Sequence, residues 1–340
     1  MQRTGLIGFG LAGSVFHAPL ITATPGLELS TIVTANPERA ERARHAYPGA
    51  RIEADAEAVW ERAEDHELVV VAAPNKAHVE LAARGIDAGL AVLVDKPLAL
   101  TSEAARGLIE RAERRGTALT VFHNRRWDSD QLTLRRLIAE GSLGEVHRYE
   151  SRFERWRPQR RQDAWRETTP PEEGGGVLLD LGTHLVDQAL TLFGPVRTVH
   201  GEVAHRRGGP ADDDAFVALE HQSGVRSHLW ASSVAAAPGP RLRVLGSQGA
   251  YLVEGLDGQE DALAAGLRPG DTAGWGAEPE EKWGRLVEGE VSRPVPSENG
   301  AWPQFYELLA RALQGDGPLP VDPRDAVAVL EILERARGGD

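Results

Sequence analysis

The strongest constraint on the fold is a glycine-rich loop near the N-terminus, at residues 8–13. It follows a predicted buried strand at residues 4–7 and precedes a predicted helix, and it reads Gly8, Phe9, Gly10, Leu11, Ala12 and Gly13. In this setting the first glycine permits a tight turn, the second lets a pyrophosphate approach the backbone, and the third lets the helix pack on the strand. The loop predicts a dinucleotide site; the alternative is a tight turn without a ligand. Pro19 is expected to kink or end the helix.

Strand and helix patterns alternate up to about residue 122. Predicted strands at 27–34, 68–73, 91–95 and 118–122 alternate with predicted helices at 37–46, 56–63, 76–88 and 102–115. Such alternation indicates an α/β fold with a doubly wound parallel sheet. We therefore expect a Rossmann dinucleotide-binding domain at residues 1–122.

The pattern changes after residue 123. Strand-like segments at 145–156, 196–207, 213–221, 225–236, 241–246 and 250–254 are joined mostly by short turns, and helices are predicted near 301–314 and 323–337. These features predict an α+β domain with a large, mostly antiparallel open sheet at residues 123–340.

A lysine lies at the end of a predicted strand. Residues 91–95 are an apolar run ending in Asp95, and Lys96 and Pro97 follow. Open α/β sheets bind ligands at the carboxyl ends of their strands, and Pro97 favours an extended Lys96. Lys96 is therefore a candidate active-site residue; the alternative is a solvated lysine at a strand end.

An acid and an imidazole follow a glycine run at residues 174–176. Asp180 and His184 are four residues apart, so both lie on one face if the segment is helical. Histidine is well suited to move protons near neutral pH, and a carboxylate beside it can fix its tautomer. The alternative is an incidental pair on a surface helix.

The end of the second predicted strand bears on the choice of cofactor. NAD-binding folds usually have an acid there for the ribose 2′-hydroxyl, but residues 30–37 contain none. Thr34 and Asn36 could donate hydrogen bonds, and Arg39 could meet a 2′-phosphate. We predict NADP over NAD, although NAD stays possible and Arg39 could instead be a solvated helix residue.

Together these motifs resemble the glucose–fructose oxidoreductase / inositol dehydrogenase / MocA family. That family has the glycine-rich loop, a central Glu-Lys-Pro and a later helix with an aspartate and a histidine; here Asp95 replaces the glutamate. The resemblance covers essentially the whole chain and is closest to the NADP-linked scyllo-inositol dehydrogenase branch. It implies that Ala73, Pro74 and Asn75 pass near the nicotinamide ribose.

The resemblance implies an enzyme that transfers hydride between nicotinamide and a secondary alcohol of a polyol or sugar. His184 is then the first candidate for the base, Lys96 holds the same oxygen, and Asp180 orients His184 or bonds a neighbouring hydroxyl; the roles of Lys96 and His184 could be exchanged. Further pocket candidates are Asn124, Arg125, Trp156 and Trp165. The alternatives are a reductase of another carbonyl substrate on the same scaffold and a non-catalytic nucleotide-sensing regulator.

The composition of the chain limits the classes of molecule that it is expected to bind. The net charge of −13 disfavours nonspecific binding to nucleic acid or anionic membranes, although residues 148–166 contain seven arginines and two tryptophans. The chain has no cysteine, and neither a membrane span nor a signal peptide is expected, so we predict a cytoplasmic protein. The family resemblance implies that the domain at residues 123–340 binds a small-molecule substrate and mediates oligomerisation, as a homodimer or homotetramer. No metal site is predicted: residues 212–214, three aspartates, are expected to form a solvated turn. His78 is expected at the surface or at the edge of the cofactor.

Overall fold

The computed structural model describes residues 1–271 and 273–338. The chain divides into two compact units. The first unit comprises Met1–Asn124, Gln259–Trp275 and Ala301–Val327, and the second comprises Arg125–Gly258, Gly276–Gly300 and residues 328–338. Two segments from the C-terminal part of the chain, which alternate there with segments of the second unit, therefore belong to the first unit.

The elements are as follows, in chain order. The strands are β1 (Gln2–Ile7), β2 (Leu27–Val33), β3 (Arg51–Glu53), β4 (Leu68–Val71), β5 (Ala91–Asp95), β6 (Leu119–Phe122), β7 (Val146–Glu154), β8 (Val196–Ala204), β9 (Asp214–His221), β10 (Arg226–Ser232), β11 (Leu242–Gly246), β12 (Ala250–Val253), β13 (Arg285–Glu288) and β14 (Val291–Pro294). The α-helices are α1 (Ala18–Ala23), α2 (Pro37–Ala46), α3 (Glu57–Trp60), α4 (His78–Asp87), α5 (Ser102–Arg115), α6 (Ser129–Ala139), α7 (Trp165–Thr168), α8 (Thr183–Phe193), α9 (Gln259–Ala264), α10 (Trp302–Leu313) and α11 (Pro323–Gly338). Two π-helices, Ala12–His17 and Leu178–Gly182, precede α1 and α8.

The sheet of the first unit has six parallel strands in the order β3-β2-β1-β4-β5-β6. Every residue of β4 is fully buried, as expected for a parallel strand covered on both faces. The strand order reverses between β1 and β4, and the crevice beyond the carboxyl ends of strands at such a point is where doubly wound sheets bind ligands. The predicted α/β fold class is confirmed.

The sheet of the second unit has eight strands in the order β14-β13-β12-β11-β7-β10-β9-β8. β7 and β10 are parallel, and the other neighbouring pairs are antiparallel. Side chains of β9 alternate between buried and half-buried, which is typical of a sheet with one face on a core. α8 packs on β7 and β10 and buries Leu185, Val186 and Ala189 there.

The C-terminal segments complete the first unit. The ring of Phe122, at the end of β6, lies 4.9 Å from that of Phe305 on α10. α9 packs on the π-helix that follows the glycine-rich loop. Farther along the same segment, Arg268 donates to Tyr47 Oη at 3.2 Å, and the Tyr47 ring contacts that of Phe9 at 6.1 Å.

Pro19 does not break the helix in the way that the sequence predicts. The backbone stays helical from the π-helix Ala12–His17 into α1, so the helix does not end at Pro19, and the change from π-helical to α-helical geometry falls immediately before this residue. Other differences are local. The predicted helix at 56–63 is shorter, and β3, β13, β14, α6, α7 and α9 were not predicted. Among the described residues no helix combines the length and apolar character that crossing a membrane requires.

Candidate functional site

The three glycines of the glycine-rich loop are required for different reasons. Gly8 has a φ of 104°, and a Cβ atom there would lie 2.4 Å from the carbonyl oxygen of Ala72. A Cβ on Gly13 would lie 1.9 Å from the carbonyl oxygen of Gly8. Beyond its chain neighbours, the nearest described atom to a Cβ on Gly10 is Nη1 of Arg39, at 3.8 Å. Gly10 therefore faces open space, and a pyrophosphate fits this cradle.

The residues after β2 place a cation beside this cradle. Asn36 caps α2, because its Oδ1 accepts the N–H of Arg39 at 2.9 Å. Arg39 is exposed in the first turn of α2, whereas Thr34 is buried and its N–H donates to Glu53 O at 2.8 Å. The guanidinium of Arg39 can therefore meet a negatively charged ligand that approaches Gly10.

The loops after β4 and β5 are joined by a buried histidine. His78 Nε2 lies 2.9 Å from the carbonyl oxygen of Ala73, and its Nδ1 lies 2.7 Å from that of Pro97. His78 is fully buried, so the expectation of a surface residue was wrong, whereas a position at the edge of the cofactor stays a prediction. Its contacts fix the Ala73–Pro74–Asn75 loop relative to Lys96, at the same edge of the sheet as the glycine-rich loop.

Behind Lys96 lies a series of buried polar side chains in contact with one another, which the sequence analysis did not identify. Asp95 Oδ1 accepts the N–H of Lys96 at 2.9 Å and lies 3.7 Å from His17 Nε2, and His17 Nδ1 lies 2.6 Å from Tyr306 Oη. Burial opposes ionisation of Asp95, but the His17 imidazole and the Lys96 charge together hold the pKa of this carboxyl below its ordinary value. An ionised carboxylate therefore lies directly behind Lys96.

In the second unit, the acid and the imidazole lie on consecutive helical segments. Asp180 lies on the π-helix Leu178–Gly182, and His184 lies in the first turn of α8. Asp180 Oδ1 is 3.3 Å from Arg166 Nε, and the His184 ring is 6.1 Å from that of Phe153 on β7. His184 is buried and the Asp180 side chain is 19% exposed. The helical segment predicted from the sequence is present, with a π-turn inside it.

The aspartates at 212–214 have a structural role that the sequence did not indicate. Asp212 and Asp213 are buried, so the expected solvated turn was wrong. Asp212 Oδ2 accepts the N–H of Leu178 at 2.7 Å, at the start of the π-helix that carries Asp180. A Cβ on Gly176 would lie 2.0 Å from Asp212 Oδ1. Glycine at position 176 is therefore needed so that this carboxylate can approach the helix N-terminus.

The remaining pocket candidates differ in their surroundings. Asn124 is buried in the first unit, and Trp156 is 56% exposed in the second. Arg125 lies over the Phe153 ring, with its guanidinium carbon 5.0 Å from the ring centroid, so Arg125 and His184 contact the same ring. The Trp165 ring is covered by the guanidinium of Arg166 at 4.5 Å.

The predicted residues thus fall into two groups. The first unit brings the glycine-rich loop, Arg39, the loop at 73–75 and Lys96 to one edge of its sheet. The second unit brings Arg125, Trp165, Asp180 and His184 to one end of β7 and α8. Phe153 and Arg166, which the sequence analysis did not select, connect members of this second group.

Two family models match the chain. One, described as an oxidoreductase family with an NAD-binding Rossmann fold, matches residues 2–123, and a GFO/IDH/MocA C-terminal domain matches residues 131–252. An uncharacterized oxidoreductase from Escherichia coli, YdgJ, is 40% identical over 98% of this chain and 94% of its own. The chain belongs to the GFO/IDH/MocA family. The resemblance deduced from the motifs is therefore confirmed.

Other members of the family are similar over their full length. The scyllo-inositol 2-dehydrogenase (NADP(+)) IolW of Bacillus subtilis is 35% identical over 98% of this chain and 92% of its own. Among solved structures, the YPO2259 oxidoreductase of Yersinia pestis has a TM-score of 0.91 and 38% identity, covering all of this chain and 95% of that one. This GFO/IDH/MocA chain is an oxidoreductase with an NAD-binding Rossmann domain.

Alanine at Gly10 and at Gly13 should have different effects. Gly10→Ala adds a methyl group into open space, so the thermal stability should be retained while binding of a nicotinamide dinucleotide weakens by about tenfold or more, because the methyl group occupies the pyrophosphate cradle. Gly13→Ala forces the helix away from Gly8 and should lower the free energy of unfolding by about 1–3 kcal/mol. Fluorescence titration with NADPH and thermal unfolding measure the two effects. Wild-type affinity in Gly10→Ala would contradict the assigned cradle.

Proposed function

We propose that this protein is an NADP-dependent dehydrogenase that acts on a CH–OH group of a polyol or sugar of the inositol type. The observation that carries the proposal is the position of Lys96, beside an ionised Asp95 and at the sheet edge that holds the glycine-rich loop. The Asp180 and His184 pair in the second unit supports it. The name of the relative IolW, a scyllo-inositol 2-dehydrogenase that uses NADP(+), supports both the substrate class and the cofactor.

Each residue of the proposed active site has a different role in the reaction. Nicotinamide, when bound, supplies the acceptor for the hydride. His184 takes the hydroxyl proton, because histidine is the side chain best suited to proton transfer near neutral pH. Lys96 holds the same oxygen and stabilises the negative charge that develops there, while Asp180 orients the imidazole or a neighbouring hydroxyl. Asp95 accepts the Lys96 N–H and fixes the backbone from which the lysine projects.

Removal of either proposed acid–base group should abolish most of the turnover. We expect His184→Ala and Lys96→Ala each to lower kcat about a hundredfold or more, the usual effect of losing general acid–base catalysis. His147→Ala and Lys282→Ala, at exposed positions, are the matched controls. Assays with NADP+ and a panel of inositols and aldoses give the result. Near-normal turnover in both active-site variants would refute the assignment, and cofactor binding without any turnover would favour the nucleotide-sensing alternative.

Arg39 should set the preference for the phosphorylated cofactor. Replacing it with glutamine removes a charge-assisted contact to the 2′-phosphate, which is worth roughly 1.5–3 kcal/mol. We expect Arg39→Gln to lower the ratio of kcat/KM for NADPH over NADH about tenfold to a hundredfold. Arg42→Gln, at an exposed position on the same helix, is the control. If the wild-type enzyme prefers NADH, the proposal that it is NADP-dependent is wrong.

We further propose that the chain forms a homodimer or homotetramer through the outer face of the eight-stranded sheet. On this face the rings of Phe216 and Trp230 lie 5.0 Å apart, and the guanidinium of Arg152 covers Trp230 at 3.9 Å. Acidic Glu150 lies among arginines of the same face. A surface that carries aromatic rings and both charge signs can be complementary to a second copy of itself about a two-fold axis.

The tryptophan at the centre of this face provides the test. Trp230→Glu places a carboxylate in the apolar part of the face, so we expect the mass measured by light scattering to fall to that of the monomer. Leu267→Glu, at an exposed apolar position of the first unit, should leave the mass unchanged. An unchanged oligomer in Trp230→Glu would place the interface elsewhere.

A further inference from the structure

The arginine-rich stretch at residues 148–166 is mostly neutralised by the chain itself. Five of its seven arginines have partners: Arg148 and Arg152 pair with Glu150, Arg160 donates to Gly208 O, Arg161 pairs with Glu167, and Arg166 pairs with Asp180. The guanidinium groups of Arg155 and Arg157 form no hydrogen bond or ion pair with any part of the chain that the structure describes. Arg157 is exposed. Arg155 also lacks a partner among the described residues but is not fully exposed, so its position needs an explanation.

The backbone directs Arg155 towards the candidate site. It follows β7 directly, and its N–H donates to Ser232 O at 3.0 Å, so the extended pairing with β10 continues to this residue. Alternate side chains of a strand share a face, and Ser151 and Phe153 are on the buried one. Arg155 therefore continues the row that ends with Phe153, whose ring packs on His184.

Arg155 is partly desolvated and uncompensated. Its Nε is buried and has no hydrogen-bond partner among residues 1–271 and 273–338. Burial, followed by the charge of Arg157, lowers the pKa of the Arg155 guanidinium, while Asp180 and Glu167 act in the opposite direction. The group nevertheless stays a cation at neutral pH. Burying an N–H donor without an acceptor costs free energy, unless a bound ligand supplies the acceptor.

The neighbouring carboxylates are already engaged. Glu167 accepts hydrogen bonds from Arg161 at 3.1 Å and from Arg207 at 2.9 Å. Asp180 is paired with Arg166 at 3.3 Å. The surroundings of Arg155 therefore carry excess positive charge, although the chain as a whole is acidic. An anion of suitable size would supply both the missing acceptor and the missing charge.

We propose that Arg155 binds an oxyanion of the substrate, and that the substrate of the Asp180–His184 site is an anionic sugar or polyol rather than a neutral one. The inference rests on the proposed function and narrows its substrate class. A carboxylate and a phosphate ester share the required chemistry, because each presents oxygens that a guanidinium can bind in a forked geometry. A neutral polyol would leave the charge of Arg155 uncompensated.

The kinetic experiment compares three sets of substrates with NADP+. The neutral set is scyllo-inositol, myo-inositol and D-glucose, the carboxylate set is D-gluconate and D-glucuronate, and the phosphate set is D-glucose 6-phosphate and inositol 1-phosphate. We expect one of the two anionic sets to exceed the neutral set in kcat/KM, and the set that does so identifies the group. Arg155→Gln should reduce that advantage about tenfold to a hundredfold, mainly through KM, and Arg155→Lys should restore part of it.

A binding experiment separates this inference from the proposed function. Calorimetric titration with inorganic phosphate and with D-gluconate needs no turnover, and Arg155→Gln should lose the binding that the wild type shows. Arg293→Gln removes an exposed arginine of β14, four strands from β7 in the sheet, and is the matched control for charge. Thermal unfolding verifies that each variant is folded.

The outcomes are distinct. Turnover of neutral polyols that depends on His184 but shows no preference for anions would overturn the role of Arg155 and leave the proposed function standing. Binding of anions that depends on Arg155, without turnover of any substrate, would support the anion site and refute the proposed function. Equal binding of phosphate and gluconate by wild type and Arg155→Gln, or no binding by either, would overturn the inference.

Discussion

The packing of Gly13 against the carbonyl oxygen of Gly8 determines where the first helix begins relative to the sheet. Because no side chain fits between these two residues, the turn after β1 is closed tightly and the helix N-terminus lies directly beyond the strand. Free N–H groups and the positive end of the helix dipole then face the crevice at which the strand order reverses. Because this turn is so short, Arg39 and the open space at Gly10 lie where a ligand bound at the helix N-terminus can reach them.

The second unit uses the same kind of constraint for a different purpose. Glycine at position 176 lets Asp212 reach the N–H of Leu178, and this contact fixes the start of the helical segment that carries Asp180 and His184. In both units, therefore, glycines allow an oxygen to approach a helix N-terminus. In the first unit this oxygen would belong to a ligand, whereas in the second it belongs to the protein.

The parts of the structure that depend on local patterns could be predicted, and those that depend on distant contacts could not. α2, α5 and β5 have the predicted bounds because their periodicity and end signals lie within the segment itself. The burial of His17 depends on Tyr306, which is 289 residues away, so no spacing reveals it. The sequence predicts His78 at the surface or at the edge of the cofactor and Asp212 in a solvated turn, because polar side chains usually lie at the surface, but each is buried against backbone groups that need a partner. The face on which Arg155 lies could be predicted from the sequence, because Arg155 continues the two-residue alternation of β7.

The assembly of the first unit has a consequence for how the chain folds during synthesis. The aromatic cluster at the end of β6 is completed by Phe305 of α10, and the helix after the glycine-rich loop packs on α9. Both partners leave the ribosome only after Arg125–Gly258, the longest segment of the second unit, has been made. The N-terminal half cannot finish its core as it emerges, as many N-terminal domains do, so the cofactor-binding unit is completed among the last parts of the protein.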